Sequence, residues 1–273
     1  MLKDITLGQF FPGESYIHRL DPRTKIILTV FYIIITFSAK SIFSFAALFL
    51  SVVMIIGISK ISFKTIIRGI RPVLYIMIFT MILNIFLTNG EDLLFHWKFI
   101  KIYKEGIITA LLVLVRIIVL ITGTSVFITY TTSPIQLTDG IERLFSPLKR
   151  IGVPVHDLAM MMSLALRFIP TLIEETDRIM NAQKARGADF STGSLASRVR
   201  ALIPIIIPLF VSAYRRAEEL AVAMECRCYR GGEGRTRMKI LTYGLNDFFA
   251  IFIFLLFLAA IILINIYAPG FKL

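Results

Sequence analysis

The chain has 273 residues, 56% of them hydrophobic and 18% charged, and a mean hydropathy of +0.78. Soluble domains carry nearer a quarter of charged residues, so this composition argues against a soluble, disordered or nucleic-acid-binding protein and for the membrane class. The net charge of +12 then reads as the Lys and Arg excess of cytoplasmic segments, with no nucleic acid needed to explain it.

The first residues, Met1 to Gln9, hold Lys3 and Asp4 without an apolar core and do not read as a cleavable signal peptide. After them the chain alternates charged strings with apolar runs. A helix needs about 20 apolar residues to cross roughly 30 Å of hydrocarbon. Residues 41–59 and 72–90 are 19 residues each without a charge, and 248–271 has 24. Residues 107–130 also number 24 and are interrupted only by Arg116. The first run, 26–39, has 14 uncharged residues, with Arg23, Lys25 and Lys40 placed to snorkel at its ends. These runs predict an all-α integral membrane protein with five transmembrane helices. Counted over the short loops, 8 cations lie on the side of the N-terminus and 5 on the other, which predicts a cytoplasmic N-terminus and an outside C-terminus. The expected organisation is a membrane domain over 1–130, a cytoplasmic coupling domain over 131–240, and a fifth span with a short outer tail over 241–273.

The 131–240 insert predicts long amphipathic helices. Pro134, Pro147 and Pro154 bracket a short helix near Gln136 to Arg150. From about Asp157 to Arg186, apolar residues from Leu158 through Phe168 to Ile179 recur at three- and four-residue steps, with Arg167, Glu174 and Arg178 opposite. A third helix is expected from about Leu195 to Cys226. Its uncharged middle, Ala201 to Ala213, is too short to span and predicts a helix at the membrane surface or against another helix, bent at Pro204 and Pro208.

The two long helices share an ending. Ala185-Arg186-Gly187 closes one and Cys226-Arg227-Cys228 closes the other, each with one Arg between small residues. An Arg there either complements the helix C-terminal dipole or reaches a carboxylate of a partner with its bidentate fork. Two like tips suit a two-fold or pseudo-two-fold partner.

Other chemistry is absent from the sequence. No Gly-Lys dipeptide occurs, so there is no phosphate-cradling loop, and His18, His96 and His156 lack metal-site spacing. Cys226 and Cys228 alone cannot complete a tetrahedral metal site and are poorly placed to bridge each other. Arg116 and Asn84 are the main polar groups at membrane depth, too few for a self-sufficient permeation path. Neither catalysis nor a cofactor is expected.

Taken with His18-Arg19-Leu20-Asp21-Pro22-Arg23-Thr24-Lys25, the two Arg-centred tips make the chain resemble the transmembrane T component of energy-coupling factor transporters, which import vitamins and related micronutrients in prokaryotes. The resemblance covers essentially the whole chain. It implies a scaffold in the cell membrane that holds two ATPases of the ATP-binding-cassette type and a small vitamin-binding membrane subunit, the S component. It also implies that Arg186 and Arg227, with their flanking Ala185, Gly187, Cys226 and Cys228, dock the two ATPases. Cys226 stands where the family has alanine. Asp21, Pro22, Arg23 and Lys25 are expected to cap and anchor the first span. The alternatives are a conventional ATP-binding-cassette permease subunit and an autonomous secondary transporter or channel.

Overall fold

A computed structural model describes residues 10–88, 93–97, 100–188, 190, 194–231 and 241–267. Lys98, the glycine-rich run beyond Gly231 and the expected outer tail lie outside the described residues. Among the described residues the architecture is all-α apart from one two-stranded hairpin.

Ser15 caps the short α1 (Tyr16–Arg19), and Asp21 caps α2 (Pro22–Ser38), whose proline sits at the first turn where no amide donor is needed. Helix α3 (Ile42–Ser59) ends at Lys60, in the left-handed conformation with φ 56°. Helices α4 (Phe63–Ile70) and α5 (Leu74–Leu87) meet at a 62° bend. The hairpin β1 (Leu93–Trp97) and β2 (Ile100–Tyr103) is antiparallel and leads into α6 (Lys104–Thr124), which widens into a π-helical turn over Ser125–Tyr130. Helix α7 (Pro134–Phe145) tightens into a 3-10 segment over Ser146–Ile151. Then come α8 (Val155–Ala185), α9 (Leu195–Cys226) and α10 (Leu245–Tyr267).

Among the described residues four helical stretches are long and apolar enough to cross a membrane, α3, Lys104–Tyr130, α8 and α10, and the α4–α5 pair, bent by 62°, makes a fifth only if it is counted as one span. Helix α2 has 17 residues, about 25 Å at 1.5 Å per residue, a length that crosses only with snorkelling cations at its ends, as the sequence implies. The distribution differs from the sequence expectation at one helix. Helix α8, expected in the insert, has the composition of a span, but at a mean hydropathy of 1.2 against 2.5 to 3.1 for the other three. Its apolar stripe is long enough to outweigh the charges on its opposite face.

The chain divides into two compact units, one drawn from Gly8–Gly140 and Leu241–Leu273, the other from Ile141–Ile240. The first is centred on aromatic packing: Tyr32 of α2, Phe127 of the π-helical turn and Phe254 of α10 meet edge to face at centroid distances of 5.5 to 6.3 Å. Gly123 makes this possible, because a Cβ there would collide with the Tyr32 ring.

The tight α2–α3 turn leaves backbone groups without helical partners, and two side chains supply them. Asn265 of α10 accepts from the amides of Lys40 (3.2 Å) and Ser41 (3.3 Å) and the Ser44 hydroxyl (2.7 Å), and its Nδ2 donates to the Ser38 carbonyl (2.7 Å). Arg116 Nη2 donates to the Ala39 carbonyl (3.0 Å), with its guanidinium 5.1 Å from the Phe45 ring centroid. A backbone turn among apolar helices requires such substitutes for water.

In the second unit α8 and α9 pack together, joined by an ion pair from Arg216 to Glu175 (3.2 Å). His156 at the start of α8 meets Glu142 of α7 (2.9 Å). Between α8 and α9 lies an apolar cavity of about 510 Å³, lined among others by Met161, Phe168, Leu220 and Met224.

Candidate docking tips and a buried polar knot

The two Arg-centred helix ends have one geometry. At the end of α8 the Arg186 amide donates to Gln183 O (3.1 Å), Gly187 N–H to Lys184 O (2.9 Å) and Ala188 N–H to Gln183 O (3.0 Å). At the end of α9 the Arg227 amide donates to Met224 O (3.1 Å), Cys228 N–H to Glu225 O (2.8 Å) and Tyr229 N–H to Met224 O (3.0 Å). Both are Schellman closures, and each places its Arg one residue before a left-handed residue: Gly187 at φ 89° and Cys228 at φ 56°. Glycine takes that conformation freely, whereas cysteine does so at a cost.

All six residues, Ala185, Arg186, Gly187, Cys226, Arg227 and Cys228, are exposed. Among the described residues neither guanidinium has an ion-pair or hydrogen-bond partner. Helix formation and the closing carbonyl bonds use only backbone, so each tip presents a fixed helix end with its five-donor fork unspent.

The Asp21-Pro22-Arg23-x-Lys25 string is built the opposite way. Asp21 is buried, and its carboxylate accepts from the Arg23 amide (2.9 Å) and from Arg23 Nε and Nη2 (3.1 Å each). Arg23 also donates to the Leu241 carbonyl (2.9 Å) and lies 4.1 Å over the Tyr243 ring. Lys25 is 1% exposed, and its ammonium donates to the carbonyls of Thr131 (2.7 Å) and His18 (3.2 Å). The carboxylate of Asp247 closes the knot, accepting from the Asp21 amide (2.9 Å) and from the Gly244 amide at the start of α10 (2.8 Å). Tyr16 donates to the Asn246 carbonyl (2.8 Å). The string thus ties the N-terminal segment and α2 to the start of α10 and to the segment after α6.

His18 completes the arrangement. Its Nε2 donates to the Phe11 carbonyl (3.0 Å), which leaves Nδ1 to accept from the Ser15 hydroxyl (2.6 Å). Burial lowers the His18 pKa, the bond to Phe11 opposes this, and the nearby Lys25 charge lowers it further.

Asp247, Thr131 and Asn265 were outside the sequence reading. Asp247 had a signal, a carboxylate three residues after Gly244 at the head of an apolar run. Thr131 contributes only its backbone carbonyl, and Asn265 is a single amide near a helix end; neither role has a local pattern.

Residues 13–240 match the CbiQ family, described as cobalt transport protein. The chain is 52% identical over 251 residues to the energy-coupling factor transporter transmembrane protein EcfT of Clostridium kluyveri, covering 92% of this chain and 93% of that one. It is 52% identical over 264 residues to the protein of that name from Acidaminococcus fermentans, covering 94% of this chain and 98% of that one. To that of Bacillus subtilis it is 44% identical over 262 residues, covering 96% and 98%. The chain therefore belongs to the CbiQ family, among the transmembrane components of energy-coupling factor transporters.

Proposed function

We propose that this chain is the non-catalytic scaffold that couples two ATP-binding-cassette ATPases to a small S component, whose reorientation releases a vitamin inside the cell. In this reading the N-terminus and the 131–240 region are cytoplasmic, and the C-terminus is outside. Arg186 and Arg227 each enter a groove of one ATPase, and closure of the ATPase pair moves α8 and α9. The observation that carries the reading is the pair of like helix endings, each with an exposed Arg that has no partner among the described residues and stands one residue before a left-handed residue. Two equal plugs fit two equal sockets. The buried polar knot, with its donors and acceptors spent within the chain, acts as the frame and not as a docking surface.

The test is co-purification of the ATPases with Arg186→Ala, Arg227→Ala and the double variant, alongside vitamin uptake. Removing a guanidinium that pairs with a buried carboxylate strands the partner charge, a loss on the order of 3–5 kcal/mol. Each single variant should lose uptake while the other tip still holds the assembly. The double variant should release the ATPases, because tethering through two sites multiplies the separate affinities. Wild-type uptake by the double variant would reduce both Arg residues to helix-end cations.

A further inference from the structure

Helix α4 is unlike the other helices of its unit. It has eight residues, is joined to α3 through Lys60 and the two residues after it, and is separated from α5 by three residues at the 62° bend. Helix α3 is long and apolar enough to cross a membrane and the 14 residues of α5 are strongly apolar, so α4 stays close to the bilayer. Its inner face is fixed: Ile66 is 3% exposed, and Gly69 lies against the Tyr130 hydroxyl.

Two different stripes cover the rest. Phe63 and Ile67 are 67% and 52% exposed. Beside them Lys64, Arg68 and Arg71, at i, i+4 and i+7, fall within about 60° of one another at 3.6 residues per turn. All three are exposed, as is Lys60, and none has an ion-pair or hydrogen-bonding side-chain partner among the described residues. No Asp or Glu occurs anywhere from Pro22 to Gly90, so the segment holds no carboxylate to neutralise them. A water-facing stripe would not need the large apolar pair, and a lipid-facing stripe would not carry unpaired cations. The membrane–water interface accommodates both at once.

We propose that α4 lies in that interface and binds the phosphate of an anionic lipid headgroup through Lys64, Arg68 and Arg71, with Phe63 and Ile67 among the acyl chains. The occupant is lipid because the cations and the apolar pair adjoin on one helix that both flanking helices hold at the bilayer surface. Three cations clustered on a short rigid helix supply charge without a bidentate pocket, so the site selects anionic over zwitterionic headgroups and does not distinguish among anionic ones.

The experiment reconstitutes the full chain in nanodiscs of phosphatidylcholine with a minor fraction of phosphatidylglycerol. It reads the ratio of the two lipids retained on the chain by native mass spectrometry. Wild type should retain phosphatidylglycerol preferentially. The Lys64→Gln, Arg68→Gln, Arg71→Gln variant should lose about 5-fold per cation, on the order of 100-fold in all at low salt. The charge-keeping triple Lys64→Arg, Arg68→Lys, Arg71→Lys should retain the preference, as should Lys149→Gln, Arg150→Gln, which removes two exposed cations of the other unit. Unchanged retention in the Gln triple overturns the proposal. So does displacement of the lipid by inorganic phosphate, which would make the site one for free anions. Loss of the preference when the chain is reconstituted with its ATPases and a small membrane subunit would assign the face to a protein and overturn it equally.

Discussion

The polar knot at the head of α2 and the two tips of α8 and α9 use the same residue types to opposite ends. In the knot every charged side chain is spent: Arg23 on Asp21, Leu241 and Tyr243, Lys25 on two carbonyls, Asp247 on two amides. At the tips the backbone is equally well satisfied, but the guanidiniums reach no partner among the described residues. A cation whose bonds are all made within the chain holds the fold; one presented on a rigid end without a partner is available to another chain. Position within the fold, not residue type, separates the two.

Damage to the knot and damage to the tips should have opposite consequences for stability. Asp247→Ala removes the acceptor of two amides and a carboxylate beside Arg23 and Lys25. Unmade buried bonds of this kind cost about 1–3 kcal/mol each, so the thermal midpoint of the detergent-solubilised chain should fall steeply. Arg186→Ala and Arg227→Ala should leave that midpoint nearly unchanged, within about 0.5 kcal/mol, as surface substitutions do. A tip variant that unfolds like Asp247→Ala would mean that the tips are structural.

A second contrast lies within the second unit. Ile206 in the middle of α9 is 57% exposed, whereas its neighbour Ile205 is 5% exposed. Ile206→Asp should therefore spare the isolated chain but lose uptake, since an unpaired carboxylate costs several kcal/mol once lipid or a partner covers it. Normal uptake would mean that this face of α9 stays in water.

A smaller effect belongs to the knot alone. Burial and the Lys25 charge favour neutral His18 in the folded chain. The unfolded chain then binds a proton more readily, so stability is full above the ordinary His pKa of about 6.5 and falls as pH drops through it. Thermal midpoints of wild type and His18→Gln, compared across that range, should diverge on the acid side. Parallel curves would mean that His18 does not contribute to the acid sensitivity of the fold.

These contrasts also mark what the sequence could convey. The ends of α9 and the apolar stripe of α8 were legible because a helix repeats its chemistry every three to four residues, and small residues with Arg mark its ends. The string from Asp21 to Lys25 was legible as a cap, since Asp before Pro is a local signal. Its partners were not: Asp247 lies 226 residues from Asp21 and Thr131 lies 106 from Lys25, and no local pattern records such pairings. The role of Arg116 was equally hidden, because its acceptor is a backbone carbonyl at the end of another helix. The turn that ends α2 was hidden in the same way, because Ser38 and Ser41 are bonded by Asn265, a single amide from a distant helix.

The finest test compares the tips with each other. They share three closing bonds to within about 0.1 Å and differ at the left-handed position, where one has Gly187 and the other Cys228. A side chain in that conformation costs roughly 1–2 kcal/mol, because its Cβ crowds the following carbonyl. Gly187→Cys should therefore destabilise the α8 end by about 1 kcal/mol. Cys228→Gly should return about the same to the α9 end, because in both exchanges the freer unfolded chain of glycine, worth about 0.4–1 kcal/mol, offsets part of the strain. Hydrogen exchange at the Ala188 and Tyr229 amides, which close the two tips, reads each change locally. Equal and opposite shifts are expected; a shift at Ala188 with none at Tyr229 would mean that Cys228 is unstrained at φ 56° and that the two endings differ in energy.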